Sequence, residues 1–325
     1  MAKKMAKPEL MPHAGGQAVI EGVLMRSKRF YAVAVRNAKG RILIKKGSVK
    51  SLAEKFPFLK WPVLRGFLGL VESMILGYSG LDYSARIYEE SDPKVKKKKP
   101  KTKAEALKMK KNEDLIMAAT FIFSLVIAVA VFIYLPVQIT KLMQKVMPVL
   151  GENGTAFNSM VVAWKFVFFF LYVWGISFME DVKRLFMYHG AEHRAIYAYE
   201  EGKPLTIKNM SGYMTMHPRC GTAFMFITIL VSVVIFVIFL PPQLGILKRV
   251  LLELPLIPLI AGISYEILKL SDKYKSNFFM RLFIMPGLAF QRITTKVPDA
   301  KQMEVAATAL KTVVEMEKKA AKKKK

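Results

Sequence analysis

The stretch YHGAEHRAIYAYE, residues 188–200, sets two histidines four apart with an acid immediately before the second. On a helix, His189, His193, Ile196 and Glu200 fall on one face, with Glu192 beside that stripe. Two imidazoles one turn apart can grip a single ion, and zinc is the ion that such nitrogen sets most often hold. The string H-x-x-E-H is also the inverted zinc-protease pattern, in which the histidines bind metal and the glutamate is the general base. In that chemistry Glu192 takes the proton of a water made acidic by the metal.

A second stretch, HPRCGTAF, lies just downstream and carries His217 and Cys220 three apart. The chain has 4 histidines and 1 cysteine, so nearly all its soft ligands gather within 188–220. His189, His193, His217 and Cys220 together would make a closed tetrahedral site, which reads as structural. Two histidines, an acid such as Glu200 or Glu266, and a water would make an open, catalytic one. Both remain open at this point, beside a third reading in which the histidines are only interfacial polar residues. Gly190, inside the motif, weakens a helix by roughly 1 kcal/mol relative to alanine.

The elements that must position these residues are mostly apolar. Four blocks suit a bilayer core of about 30 Å, at 115–135, 157–179, 221–240 and 250–268. The last is the weakest, since it holds Glu253, Pro255, Pro258 and Glu266. Its acids should face protein, as ligands or as partners of an interior Arg or Lys. The basic stretches lie before 114, within 181–217 and after 270, whereas the connections 136–156 and 241–249 carry few charges. An even number of spans with both termini cytoplasmic satisfies the positive-inside rule and puts the histidine-rich connection on the cytoplasmic face.

Upstream, FYAVAVR, NAKG and RILIKK read as strand, turn and strand, after the Gly-Gly start of GGQAVIEGVLMR. Residues 61–81 carry Arg65 and Glu72 in an apolar run and read as an interfacial helix. Near the C-terminus, Asp299 and Gln302 resemble a capping box, and Met303, Ala306, Leu310 and Val313 form one stripe. The expected fold is a mainly α membrane protein: about four transmembrane helices, a small N-terminal β-rich cytoplasmic unit and a C-terminal amphipathic helix. The expected divisions are a β-rich unit (1–60), the interfacial helix (61–81), a lysine-rich linker (82–113), the transmembrane domain (114–270) and the C-terminal helix with its basic tail (271–325).

A net charge of +27, set against a hydrophobic fraction of 53%, points to anionic membrane lipid as a partner of the lysine runs. Ribosomal RNA is the sharper alternative, but the lysines lack the interleaved aromatics that would support it. No glycine fingerprint or P-loop is present, so nucleotide chemistry is not expected. The basic N-terminus is followed by no apolar run, so no cleavable signal peptide is expected.

Five segments in order, GGQAVIEGVLMR, YHGAEHRAIYAYE, HPRCGTAF, AGISYEILKL and PGLAFQRITTKVPDAKQMEVAATAL, resemble the YqhQ-like bacterial membrane-protein family. The resemblance implies a multi-pass protein of the bacterial inner membrane with a metal site at the His189, Glu192, His193, His217 and Cys220 positions. That family, of unknown function, is generally labelled a predicted metal-dependent enzyme. Two functions follow as expectations. One is a zinc-type hydrolase at the cytoplasmic face with Glu192 as base. The other is a non-catalytic scaffold or assembly factor beside the translocation machinery and ribosome, with the metal as a clip.

Overall fold

The structure, a computed structural model, describes residues 14–91, 102–218, 220–241, 244–273 and 277–322. Four strands, β1 (Gly15–Val19), β2 (Gly22–Arg26), β3 (Phe30–Arg36) and β4 (Ile42–Ser48), come first. Helices α1 (Leu64–Ser91), α2 (Lys103–Val129) and α3 (Leu135–Met143) follow, the last two joined by a π turn over Ala130–Tyr134. Then come α4 (Val149–Glu152), α5 (Gly154–Ile176), α6 (Glu180–Glu200), α7 (Ile207–Ser211), α8 (Gly221–Phe239), α9 (Ile246–Lys273), α10 (Phe278–Thr294) and α11 (Ala300–Lys322). Part of the lysine-rich stretch expected as a linker, residues 92–101, lies outside the described residues, as does the N-terminal MAKKMAKPEL.

The chain forms two compact units. One gathers 1–92, 174–227 and 261–325; the other gathers 93–173 and 228–260. In the first, β1 to β4 make an antiparallel meander in sequence order. The β3–β4 hairpin pairs Phe30–Arg36 with Ile42–Ser48 around the expected turn. β4 alternates half-buried with exposed residues, whereas β3 does not alternate, because both faces of the sheet are covered there. Val19, Leu24, Val33 and Val35 pack with Leu76, Tyr83 and Ile87 of α1. Val23, Met25, Ala32 and Ala34 pack with α6 and α11. A sheet buried on both faces has no position to give to a polar side chain, hence the near-continuous apolar runs in β2 and β3.

Small residues set how closely the helices approach. A Cβ at Gly80 would stand 2.8 Å from Leu24 Cδ1, and one at Gly77 would stand 2.2 Å from Gln17 Oε1. Alanines at 306, 307 and 309 do the same for α11. The capping box forms reciprocally: Asp299 N–H donates to Gln302 Oε1 (2.9 Å) and Gln302 N–H donates to Asp299 Oδ1 (2.7 Å). The expected stripe Met303, Ala306, Leu310, Val313 is buried throughout. At the far end of α11, Glu317 accepts from Ser27 Oγ (2.8 Å) and pairs with Arg29. Although burial pushes its carboxyl up, the bonds from Arg29 and Ser27 outweigh burial and hold it below the ordinary range.

Three helices among the described residues are long and apolar enough to cross a membrane: Leu115–Met143, Gly154–Ile176 and Gly221–Phe239. The expected fourth block, 250–268, lies within α9 and is not among these three; it carries Glu253, Glu266 and two prolines. Its Glu253 is 4% exposed and paired twice, with Arg249 Nε (3.0 Å) and Lys165 Nζ (2.7 Å). Arg249 also donates to Asn158 Oδ1 (3.0 Å), whose amide donates to the Leu240 carbonyl (2.8 Å). The acid in the apolar block is thus a partner of interior cations. Glu266 likewise pairs with Arg65 at 2.5 Å, which removes it from the candidate ligands.

Candidate metal centre

Helix α6 carries the H-x-x-E-H string, and its packing explains the glycine inside it. Residues 294–296 cross α6 at Gly190, where a Cβ would stand 2.1 Å from the Lys296 carbonyl oxygen. Without that atom the crossing backbone sits against the helix, and Lys296 N–H donates to the Phe186 carbonyl (2.9 Å). The same segment brings the Thr294 carbonyl to His189, whose Nδ1–H donates to it at 2.8 Å. His193 Nδ1–H donates to the Thr215 carbonyl in a short bond. Each bond fixes the tautomer, so both Nε2 lone pairs are left free for another partner.

That partner position is shared with Cys220. Its Sγ lies 3.1 Å from His189 Nε2. The ligand atoms of His189, His193 and Cys220 lie within 4.8 Å of one another, so this group could hold a metal ion. The electrostatics suit ligation, which needs neutral imidazole and thiolate. Burial lowers the basicity of His193. Burial alone would raise the Cys220 thiol, but its contacts with His193 and the donors of Thr222 leave it below its ordinary value.

Glu192 is 4% exposed and reaches the other side of this cluster. Its carboxyl accepts from the Gly16 N–H, yet burial dominates and pushes it up to about 8. Oε2 has no hydrogen-bond partner among the described residues. A Cβ on Gly16 would stand 3.0 Å from the Glu192 carboxyl carbon, so a bare residue is needed at that point of β1. An orphaned buried carboxylate oxygen beside two oriented imidazoles and a thiol fits a metal centre.

His217 stands outside the group of three. Its ring lies 5.6 Å from the His193 ring and 4.5 Å from Tyr197, with Nε2 at 3.7 Å from Glu200 Oε2. Gln291 clamps its backbone, donating to the His217 carbonyl (2.9 Å) and accepting from its N–H (2.7 Å). Thr215, Gln291 and Thr294, which do this holding, carry no local sequence signal. The one available hint was the glycine in a helix, which marks close backbone approach. His189, Glu192, His193, His217 and Cys220 all line one cavity of about 520 Å³ with Gly15, Gly16 and Gln17.

Spanning-length helices and a His/His/Cys group define a membrane protein with a candidate metal centre. The chain matches, over residues 61–316, the family described as "Protein of unknown function (DUF1385)". It is 32% identical over 321 residues, 96% of each chain, to "Uncharacterized protein YqhQ" of Bacillus subtilis (strain 168). The chain belongs to this YqhQ-like family. No solved structure matches it.

Proposed function

We propose that the protein is a zinc-dependent hydrolase of the bacterial inner membrane, with His189, His193 and Cys220 as ligands and Glu192 as general base. The observation that carries this is the pairing of two imidazoles held by carbonyls with an unpartnered, buried Glu192 Oε2 on one cavity wall. Zinc held there would supply Lewis acidity and a positive charge that favours the ionised form of Glu192. Glu192 takes the water's proton and returns it to the leaving group. Thr294 and Thr215 keep the imidazoles facing the cavity. His217, on Tyr197 and near Glu200, lines the site and completes the ligand shell only by leaving those neighbours.

Four spans with both termini cytoplasmic belong to the same proposal. The basic stretches before 114, within 181–217 and after 270 support an even number of crossings, with α9 as the fourth and its Glu253 paired with Arg249 and Lys165. The lysine runs then lie on the side where anionic lipid is the natural contact.

The second reading is a clip in a scaffold that works alongside translocation machinery or ribosomal RNA. It is favoured by the origin of the ligands in two elements, α6 and the start of α8, which a metal would pin together. Metal analysis of protein purified after growth with zinc separates the readings. About one zinc per chain is expected, lost in His189→Ala and Cys220→Ala and kept in His217→Ala. Metal-free wild-type protein would refute both readings. Glu192→Gln that keeps its zinc but loses hydrolysis supports the enzyme; full function in that variant supports the clip.

A further inference from the structure

We infer that the outer edge of β1 is a rail on which an extended polypeptide pairs, which makes the substrate of the proposed hydrolase a peptide segment. This rests on the reading of the cluster as a hydrolytic site. In the sheet order β1-β2-β3-β4, β1 is an edge, and no described strand pairs its outer side. The hairpin closes at Val19 and Gly22. Hydrogen-bonded positions alternate along an antiparallel pair, so Gly15, Gln17 and Val19 turn to β2 while Gly16 and Ala18 turn outward. The Glu192 carboxyl stands beside Gly16, its carbon 3.0 Å from where a Cβ on that residue would lie. Among the described residues, the Gly16 carbonyl and both main-chain groups of Ala18 have no outer backbone partner, at the two-residue repeat by which an added strand is recognised.

This edge opens on the candidate centre. Gly16, Gln17 and Ala18 line the same cavity as His189, Glu192 and His193. A strand laid along β1 would carry its carbonyls past the cluster. The other walls include Leu70, Ile196, Phe224 and Met225, which suit apolar side chains on alternate residues. For all the positive charge of the chain, no lysine or arginine is among the described lining residues. A phosphate-bearing lipid or nucleotide would find no cation there, whereas an uncharged main chain needs none.

The test is binding of fluorescein-labelled β-casein, an unfolded chain, to the full-length detergent-solubilised protein carrying Glu192→Gln to prevent turnover. Ala18→Pro removes the outward N–H and leaves the ladder to β2 whole, because an edge strand tolerates proline facing outward. Ala18→Val keeps the N–H and adds bulk. Loss of one hydrogen bond weakens binding about tenfold in Ala18→Pro, against less than about twofold in Ala18→Val. Equal binding by all three proteins, or equal loss in both variants, overturns the rail. Should Ala18→Pro fold poorly by thermal unfolding, wild-type binding of an alternating Leu-Ala hexapeptide is compared with its N-methylated form. Undiminished binding of the N-methylated form also overturns the rail. With the Glu192 protein, casein bound but never cut would refute the hydrolase and leave the rail standing. Casein cut equally well by Ala18→Pro would refute the rail and leave the hydrolase standing.

Discussion

Gly190→Ala should damage this protein where the same change would stabilise an ordinary helix by about 1 kcal/mol. The added methyl would stand 2.1 Å from the Lys296 carbonyl oxygen and 3.2 Å from Thr215 Cγ2. Ordinary contact begins near 3.4 Å, so the crossing backbone must retreat by more than about 1 Å. That retreat strains two hydrogen bonds, Lys296 N–H to Phe186 (2.9 Å) and His189 Nδ1–H to Thr294 (2.8 Å). Each contributes about 1 kcal/mol. Overpacking adds about 1–3 kcal/mol. After the propensity gain is subtracted, the expected net loss is roughly 2–4 kcal/mol. Because the imidazole also loses its holder, affinity for zinc at the proposed site should fall about 10–100-fold. Thermal unfolding in detergent measures the first effect, and competition with a chromophoric chelator measures the second. A variant as stable as wild type, with unchanged zinc affinity, would refute the crossing as the determinant of the site.

Two further outcomes follow from charges away from the cluster. Lys165, Arg249 and Glu253 place two cations on one carboxylate. Glu253→Gln leaves both uncompensated and should cost about 3–5 kcal/mol, whereas Lys165→Met leaves a neutral Arg249–Glu253 pair and should cost roughly 1 kcal/mol or less. Equal Tm losses in the two variants would contradict that charge count. The Glu317 carboxyl is held below its ordinary value of 4.5 in the folded protein. Its contribution is therefore complete above that value and is lost as pH falls through the lower, folded one. Wild-type protein should lose stability on acidification below about pH 4.5 by more than Glu317→Gln does, and parallel pH profiles would argue against it.

Much of the centre could be read from spacing alone. The H-x-x-E-H string on one helix and the return of HPRC beside it were local patterns, and local periodicity survives folding. The capping box of Asp299 and Gln302 was legible for the same reason. What holds the imidazoles was not, since carbonyls of Thr215 and Thr294 belong to the backbone and any residue supplies one. Gly190 was misleading as a propensity and informative as a space. The two-faced burial of β2 and β3 was also hidden, because an apolar run looks alike whether one helix layer covers it or two. Glu253 and Glu266 could be read either as ligands or as paired acids, and only the positions of Arg65, Lys165 and Arg249 decide that.

The bond from His189 to Thr294 spans 105 residues, and that from Ser27 to Glu317 spans 290. In order of synthesis, the sheet emerges first, both excursions follow, and α11 comes last. Until α11 arrives, Val23, Met25, Ala32 and Ala34 present an apolar face that α6 alone covers only in part. Until residues 294–296 arrive, His189 has nothing to fix its tautomer. Closure over such separations is slow, and it comes late in folding. A nascent chain therefore carries every candidate ligand long before it carries the geometry that makes them a site, and a chain cut short before Thr294 never acquires it.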